Sequence, residues 1–303
     1  MDQETFDAYV KAGRIVATAR DYGKSLIKVG ASVLKVAEAV EKRIIELGGS
    51  FAFPPQISIN DIAAHYCPEP DDKTVFREND VVKLDVGVHI NGFVGDTAVT
   101  VVLGDDEKLK KLQEASRQAL KAALGLVKPG VTLSELGRAI HHEITSRGFA
   151  PVKNLSGHGL ARFVIHDKPS IPNFDTGSQE ELHQDQVIAI EPFASTGAGE
   201  IYESSNPTLF SLNGKKPVRS PITRQVLRDL EEYNGLPFTL RWIADKHGLG
   251  KARFALRELK KTGILEEYPP LLDKTHGIVS QAEHTIIVKE QGESIITTML
   301  DKD

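Results

Sequence analysis

The 303-residue sequence contains a single cysteine, Cys67, which excludes an internal disulfide framework and suits a reducing compartment. It has no apolar run long enough to span a membrane, and its N-terminus, Met-Asp-Gln-Glu-Thr, lacks the apolar core of a signal peptide. The net charge of −5 gives no reason to expect general affinity for polyanions. These absences predict a cytoplasmic protein without membrane association.

An internal repeat is visible at an offset of one hundred residues. Residues 27–32 align with residues 127–132, and each segment ends in a hydroxyl residue that is suited to capping a helix. The predicted helices that follow stop at Gly48 and Gly148. We therefore predict a duplicated unit and two halves related by a pseudo-two-fold axis, with a site between them. Chance similarity is the alternative.

The segment 81–101 predicts a β-hairpin, because Asn91-Gly92 separates two β-rich runs and both loop positions of such a turn need positive φ. Paired residue numbers then sum to 183, which makes Asp85 and Asp96 diagonal neighbours on one face, roughly 7 Å apart at the backbone. Two carboxylates this close repel each other unless a proton or a cation lies between them. The alternative is a pair of solvated aspartates on an exposed sheet face.

Three more polar residues interrupt apolar, strand-like segments: His158, Glu191 and Glu283. Glycines flank His158 and permit a close approach of its backbone to a partner. An unpaired buried carboxylate is costly, so the two glutamates predict partners. With Asp85 and Asp96 they give four carboxylates, which two divalent cations would neutralise. A ligand set of four carboxylates and one imidazole favours Mn, Fe or Co, and is less specific for Zn. A pair of such ions can activate water for hydrolysis.

Residues 213–275 differ in character from the rest of the chain. They contain 13 Lys and Arg against 8 Asp and Glu, a net charge of +5 that leaves −10 for the remainder. Helices are predicted over 223–233, 240–247 and 251–261, followed by a short strand, which is typical of a winged helix. We predict an insertion within a catalytic domain formed by residues 1–212 and 276–303. Acids interleave with the basic residues, so no specific DNA binding is expected.

The motifs Lys-Leu-Asp85-Val-Gly, Gly-Asp96-Thr-Ala, Gly-His158-Gly, Ile-Glu191-Pro-Phe and Ser-Gln-Ala-Glu283-His-Thr resemble those of the methionine aminopeptidases, and they span nearly the whole chain. The same five residues also occur in prolidases and aminopeptidase P. The insertion and the short N-terminal part resemble the type II, archaeal-like form. The resemblance implies an α+β, pita-bread fold with pseudo-two-fold halves: a mostly antiparallel sheet covered by helices, plus the winged-helix-like insertion.

The resemblance also implies roles for individual residues. Asp85 would bind one metal ion, His158 and Glu191 the other, and Asp96 and Glu283 both. His65 and His166 would be catalytic, contacting the scissile amide of the substrate. The pocket for the methionine side chain would be lined by Phe53, Ile165, His166 and Tyr268. Core packing is the alternative for Phe53 and Tyr268. After His166 the chain reads Asp-Lys-Pro where the family pattern leads us to expect a glycine-containing loop.

The implied activity is removal of the initiator methionine from nascent proteins, with preference for a small second residue. Two divalent ions (Co, Mn, Fe or Zn) would serve as cofactors, the ribosome is a candidate partner, and a monomer is expected. One alternative is a proline-directed peptidase of the same superfamily. The other is a pita-bread protein that binds without catalysis. The remaining histidines are interpreted as surface or supporting residues, and residues 51–55, which contain two prolines, as a loop.

Overall fold

The structure, a computed structural model, describes residues 1–290 and 294–300. Its helices are α1 (Gln3–Leu26), α2 (Val33–Glu46), α3 (Glu107–Leu124), α4 (Leu133–Ser146), α5 (Pro221–Glu231), α6 (Leu240–His247) and α7 (Leu249–Thr262). Within the described residues, no helix has the length and apolar character needed to cross a membrane.

The strands are short and distributed along the whole chain. They are β1 (Ser50–Ile59), β2 (Ile62–Ala64), β3 (Val81–Ile90), β4 (Phe93–Val102), β5 (Ala150–Pro151), β6 (Ser156–Ala161), β7 (Val164–Pro172), β8 (Val187–Ile190), β9 (Phe193–Ser195), β10 (Ile201–Glu203), β11 (Leu209–Leu212), β12 (Phe238–Thr239), β13 (Leu265–Tyr268), β14 (Leu271–Asp273), β15 (Val279–Gln281), β16 (His284–Ile287) and β17 (Ile295–Ile296). All their pairings are antiparallel, which agrees with the predicted α+β class.

Strands β3 and β4 form the predicted hairpin around Asn91-Gly92, whose φ angles are 54° and 91°. Asp85 pairs with Ala98 and Gly87 with Asp96, so the predicted register is confirmed. Alternate β3 residues are buried in one hydrophobic cluster with side chains of α1 and α2: Val82, Leu84, Val86 and Val88. The opposite face therefore directs both aspartates away from this core.

The two halves repeat one helical unit. Helices α2 and α4 begin and end one hundred residues apart, and each is capped by the predicted hydroxyl side chain. The backbone N–H of Gly30 donates to Phe76 O (2.8 Å), and that of Gly130 donates to Leu182 O (2.9 Å). The loops before the two helices are thus held by equivalent hydrogen bonds, and the predicted repetition of this unit is confirmed.

The prediction of a loop over residues 51–55 is wrong, because β1 runs through both prolines. Its pairing with β3 shifts register between Phe51 and Phe53, and again between Phe53 and Gln56. A proline has no backbone N–H to donate to a neighbouring strand. A bulge leaves residues unpaired, so a proline at such a position loses no hydrogen bond. The irregular pairing therefore accommodates a sequence that reads as a loop.

The hairpin meets a five-stranded sheet of order β17-β16-β8-β6-β7. The backbone N–H of Glu283, just before β16, donates to Ala98 O (3.1 Å). The backbone N–H of Asp96 donates to Thr285 Oγ1 (2.8 Å). These bonds fix the polar face of the hairpin against the sheet that carries His158 on β6.

Strands β11–β13 and helices α5–α7 enclose a hydrophobic cluster of their own. The three helices predicted for this segment are present. A buried ion pair joins the segment to α2, since Arg241 donates two hydrogen bonds of 2.7 Å to the carboxylate of Glu41. The indole Nε1 of Trp242 donates to the same carboxylate (2.8 Å), and the indole ring stacks on Phe51. The insertion is therefore anchored to the body of the protein.

Candidate metal centre

A cleft of about 430 Å³ lies where the two halves meet the insertion. Its lining brings together all ten residues selected from the sequence: Phe53, His65, Asp85, Asp96, His158, Ile165, His166, Glu191, Tyr268 and Glu283. These residues come from both halves and from the end of the insertion, so only the folded chain assembles the site.

His158 faces the carboxylates through one ring nitrogen. Its Nε2 lies 3.4 Å from Glu191 Oε1 and 3.9 Å from Asp96 Oδ2, while its Nδ1 lies 3.2 Å from Gly159 O. Burial, and then a neighbouring imidazole, lowers the pKa of His158 to about 3, so the ring is neutral at pH 7. With its proton on Nδ1, where it is donated to Gly159 O, the ring presents the lone pair of Nε2 to the carboxylates.

The four carboxyl groups repel one another in a buried setting. Burial raises the pKa of Asp85 to about 7, against a hydrogen bond from Gln281 that lowers it. The pKa values of the other three are raised well above their ordinary values, by burial first and then by neighbouring carboxylates: Asp96, Glu191 and Glu283. The folded chain therefore favours a proton or a cation at this point.

The cluster also leaves oxygen atoms without donors. In the described part of the chain, Asp85 Oδ1, Asp96 Oδ1 and Glu283 Oε2 are buried and have no hydrogen-bond partner. Asp96, His158 and Glu283 each place one ligand atom within 4.8 Å of the others. Buried acceptors without partners are costly, and divalent cations satisfy several such oxygens at once. The residues present thus fit the metal ions that the sequence motifs imply.

The glycines beside His158 are needed for strand packing. A Cβ atom on Gly157 would lie 2.3 Å from Ala189 O, and one on Gly159 would lie 2.0 Å from Lys168 O. Strand β6 therefore fits between β8 and β7 only with glycine at both positions, which confirms the predicted close approach. The segment 167–169, where the family pattern has a glycine-containing loop, is part of β7.

The two candidate catalytic histidines stand beside this cluster. The ring of His166 lies 4.7 Å from that of His158 in an edge-to-face arrangement. His65 follows β2 with a φ of 66°. Burial, followed by the charge of His166, lowers the pKa of His65 to about 4. Its Nδ1 is buried and finds no hydrogen-bond partner among the residues described, so it is available to a substrate.

Next to the histidines, aromatic and apolar side chains form the wall of the cleft. The ring of Tyr268 lies 6.0 Å from that of His65, edge to face, and its hydroxyl is 3.0 Å from Ser211 Oγ. Phe53 and Ile165 are buried in one hydrophobic cluster. Apolar residues that were not selected from the sequence as site residues also line the cleft: Leu155, Phe193, Leu236 and Pro237.

Gln281 is a polar contributor that the sequence reasoning missed. Its Nε2 donates to Glu191 Oε2 (3.2 Å), and its hydrogen bond to Asp85 lowers the pKa of that residue. The amide therefore links two of the carboxylates. Gln281 is the last residue of β15, and its place in the motif Ser-Gln-Ala-Glu283 is the signal in the sequence that could have indicated it.

Comparison with known proteins agrees with this geometry. The model of metallopeptidase family M24 matches residues 7–290. A methionine aminopeptidase from Archaeoglobus fulgidus is 44% identical over 298 residues, covering 98% of this chain and 100% of its own length. One from Pyrococcus abyssi is 44% identical over 294 residues, covering 96% and 99%. The crystal structure of a methionine aminopeptidase from Thermotoga maritima superposes with a TM-score of 0.73 at 24% identity, covering 99% and 98% of the two chains. The pita-bread fold expected from the motifs is confirmed.

Proposed function

Because the chain belongs to the methionine aminopeptidases of metallopeptidase family M24, we propose that its cleft holds two divalent cations and hydrolyses the peptide bond after an N-terminal methionine. Removal of N-terminal methionine is the activity of the family to which the chain belongs. The observation that carries the two-cation assignment is the buried set of four carboxylates and one neutral imidazole, with three oxygens unpartnered in the described chain.

The proposed ligand assignment follows the motifs. Asp85 would hold one ion, His158 and Glu191 the other, and Asp96 and Glu283 would contact both. Divalent cations in such a site supply Lewis acidity, which lowers the pKa of water and polarises a peptide carbonyl. Co, Mn, Fe and Zn all suit this ligand set. Gln281 would keep the carboxylates of Asp85 and Glu191 oriented through its amide.

His65 and His166 act on the substrate in this proposal. Both have lowered pKa values, chiefly from burial, so both are neutral hydrogen-bond donors at pH 7. The unpartnered Nδ1 of His65 would form a hydrogen bond with the scissile amide. Donors placed where negative charge develops on a carbonyl oxygen contribute about 3 kcal/mol to the lowering of the barrier.

The wall of Phe53, Ile165 and Tyr268 would receive the methionine side chain. A thioether packs favourably against aromatic rings, and an unbranched chain suits a narrow apolar slot. The preference for a small second residue that the family resemblance implies is proposed for this chain as well. Nascent polypeptides are then the substrates, at or near the ribosome in the cytoplasm, and the protein acts as a monomer.

We further assign residues 1–212 and 276–303 to a catalytic domain and residues 213–275 to an insertion that forms one wall of the cleft. Support comes from the separate hydrophobic cluster of this segment. Strands β12 and β13 of the segment pair with β11, which immediately precedes it, and β14 at its end pairs with β2 and β10 and so joins the segment to the main body.

Metal-stripped protein tests the proposal, using Met-Ala-Ser and an X-Pro peptide as substrates with Mn, Fe, Co and Zn added singly. The expected result is cleavage of Met-Ala-Ser alone, restored by at least one metal, with about two ions bound per chain. Preferential cleavage of the X-Pro peptide would support a proline-directed peptidase instead. Binding of metal without cleavage of either peptide would support a non-catalytic protein.

A further inference from the structure

The backbone of His65 is held in an unusual conformation by hydrogen bonds from two sides. Its φ of 66° lies in the left-handed region, which side chains other than glycine rarely adopt. On one side its N–H donates to Gln56 Oε1 (2.7 Å). On the other, its carbonyl accepts a hydrogen bond from Thr208 Oγ1 (2.8 Å), and the same hydroxyl accepts one from the N–H of Cys67 (3.0 Å).

Thr208 stands at the point where the chain enters the insertion. It immediately precedes β11, whose first residue, Leu209, pairs with Tyr268, the last residue of β13. Where the chain leaves the insertion, the Tyr268 ring packs edge to face on His65. Both strands at the base of the insertion therefore contact His65, one through its backbone and the other through its ring.

A further contact ties the same segment to the insertion. Arg241, which forms the buried ion pair with Glu41, also donates through Nε to Pro68 O (3.4 Å). The stretch from His65 to Pro68 is thus hydrogen-bonded at three backbone groups, two of them to Thr208, just before the insertion, and one to Arg241 within it. Since a left-handed backbone persists only where its surroundings hold it, these contacts decide where the His65 imidazole lies.

We propose that Thr208 is a positioning residue for His65, and that its hydroxyl makes the geometry of the active site depend on β11, the strand that leads into the insertion. The inference rests on the proposed role of His65 in acting on the substrate. A single hydroxyl both donates to the His65 carbonyl and accepts from Cys67. Serine retains both bonds, whereas valine has the same shape and can form neither.

Steady-state kinetics on Met-Ala-Ser test the proposal with Thr208→Val and Thr208→Ser, each made in the wild type and in His65→Ala. Thr208→Val should lower kcat about tenfold while changing KM less than about threefold, because the ring of His65 moves and the methionine pocket does not. Thr208→Ser should retain most of the activity. In His65→Ala, Thr208→Val should have no further effect, because Thr208 acts only through the missing imidazole.

Thr223→Val is the matched control. This buried hydroxyl lies in the insertion and donates to Glu258 Oε2 (2.6 Å), and, like Thr208, it does not line the cleft. It should leave kcat and KM unchanged even if Tm falls. Metal content, measured for every variant by elemental analysis, should stay at the wild-type value. Thr208→Ala removes the same hydroxyl and replaces Thr208→Val if that variant does not fold.

Three outcomes separate the possible failures. The positioning role is overturned if Thr208→Val lowers kcat by the same factor in the wild type and in His65→Ala. It is also overturned if Thr208→Val loses metal. If His65→Ala impairs catalysis but removal of the Thr208 hydroxyl does not, the inference about Thr208 alone is wrong. If His65→Ala itself has wild-type kcat, the proposed role of His65 fails, and the inference that depends on it fails as well.

Discussion

The ring of Phe53 occupies the space that a side chain on Gly87 would need. The two residues pair across β1 and β3, and a Cβ atom on Gly87 would lie 2.2 Å from Cε1 of the ring. The absence of a side chain on Gly87 therefore determines where one wall of the proposed methionine pocket lies.

Gly87→Ala should displace the Phe53 ring and narrow the pocket. Overpacking of a fitted apolar site costs about 1–3 kcal/mol, so KM for Met-Ala-Ser should rise about tenfold or more. Gly250→Ala is the control, since a Cβ atom there meets nothing within 4 Å. An unchanged KM in Gly87→Ala would show that Phe53 does not contact the substrate.

His166→Ala should lower kcat about 100-fold with metal stoichiometry unchanged, because a donor to the developing charge is lost and no ligand is removed. Kinetics and elemental analysis on the same preparation provide the measurement. His183→Ala, at an exposed position, is the control and should match the wild type. Loss of metal in parallel with activity would make His166 a metal ligand instead.

Asp96→Asn should abolish activity and reduce metal content. Asp96 is proposed to contact both ions, and an amide is an uncharged and poorer ligand for a divalent cation. Metal analysis after dialysis against a metal-buffered solution, followed by an assay of Met-Ala-Ser cleavage, tests this assignment. The assignment is refuted by a variant that keeps both ions and turns over normally.

The metal-free protein should become less stable as pH rises from about 4 to about 7. The ordinary pKa of Asp85 is 3.8, and burial raises it to about 7 in the folded chain. In that interval the folded state keeps a proton on Asp85 that the unfolded state has released, so the free energy of unfolding falls as pH rises. The raised pKa values of Asp96, Glu191 and Glu283 act in the same direction.

Urea unfolding at pH 5 and pH 7.5, in the presence of a chelator, measures this trend. Added metal should reverse it, because cations replace the protons and bind more tightly as pH rises. Asp85→Asn without metal is the control and should show a flatter pH dependence. A metal-free wild type that is more stable at pH 7.5 than at pH 5 would contradict the expected sign.

Tyr268→Ala should weaken capture of methionine peptides, mainly through KM, without changing metal content, because its ring forms part of the pocket wall. Charge reversal at Lys251, Arg253 and Arg257 on α7 should leave small-peptide kinetics unchanged. The opposite pattern, a silent Tyr268→Ala with impaired processing of ribosome-bound chains after charge reversal, would make the insertion a docking module.

The hairpin and its two aspartates could be predicted from the sequence because one local signal determines them. Asn91-Gly92 defines the turn, and the two-residue period of a strand then assigns every partner along β3 and β4. The same holds for the two equivalent helices, whose caps and glycines are local features. Polar interruptions of apolar segments indicated His158, Glu191 and Glu283, and motif resemblance supplied the other selected residues: Phe53, His65, Ile165, His166 and Tyr268.

The residues that were missed depend on contacts with no local signature. Gln281 bonds to a residue 90 positions away, and Thr208 bonds to one 143 positions away. Residues 51–55 were predicted as a loop because two prolines disfavour a strand when the sequence is considered alone. The shifted pairing of β1 with β3 shows how the strand tolerates them. Contacts between residues far apart in the sequence determine these features, whereas composition and periodicity depend only on neighbouring residues.

The labelling rate of the single cysteine of the chain can measure how often the structure opens locally. Cys67 is 1% exposed beneath Thr208, and burial raises the pKa of its thiol to about 12. Its Sγ lies 3.5 Å from Pro55 O of β1, so a thiol reagent can reach it only when the packing around this segment opens. The rate at which the native protein is labelled therefore measures how often the structure beside His65 opens, with no engineered probe.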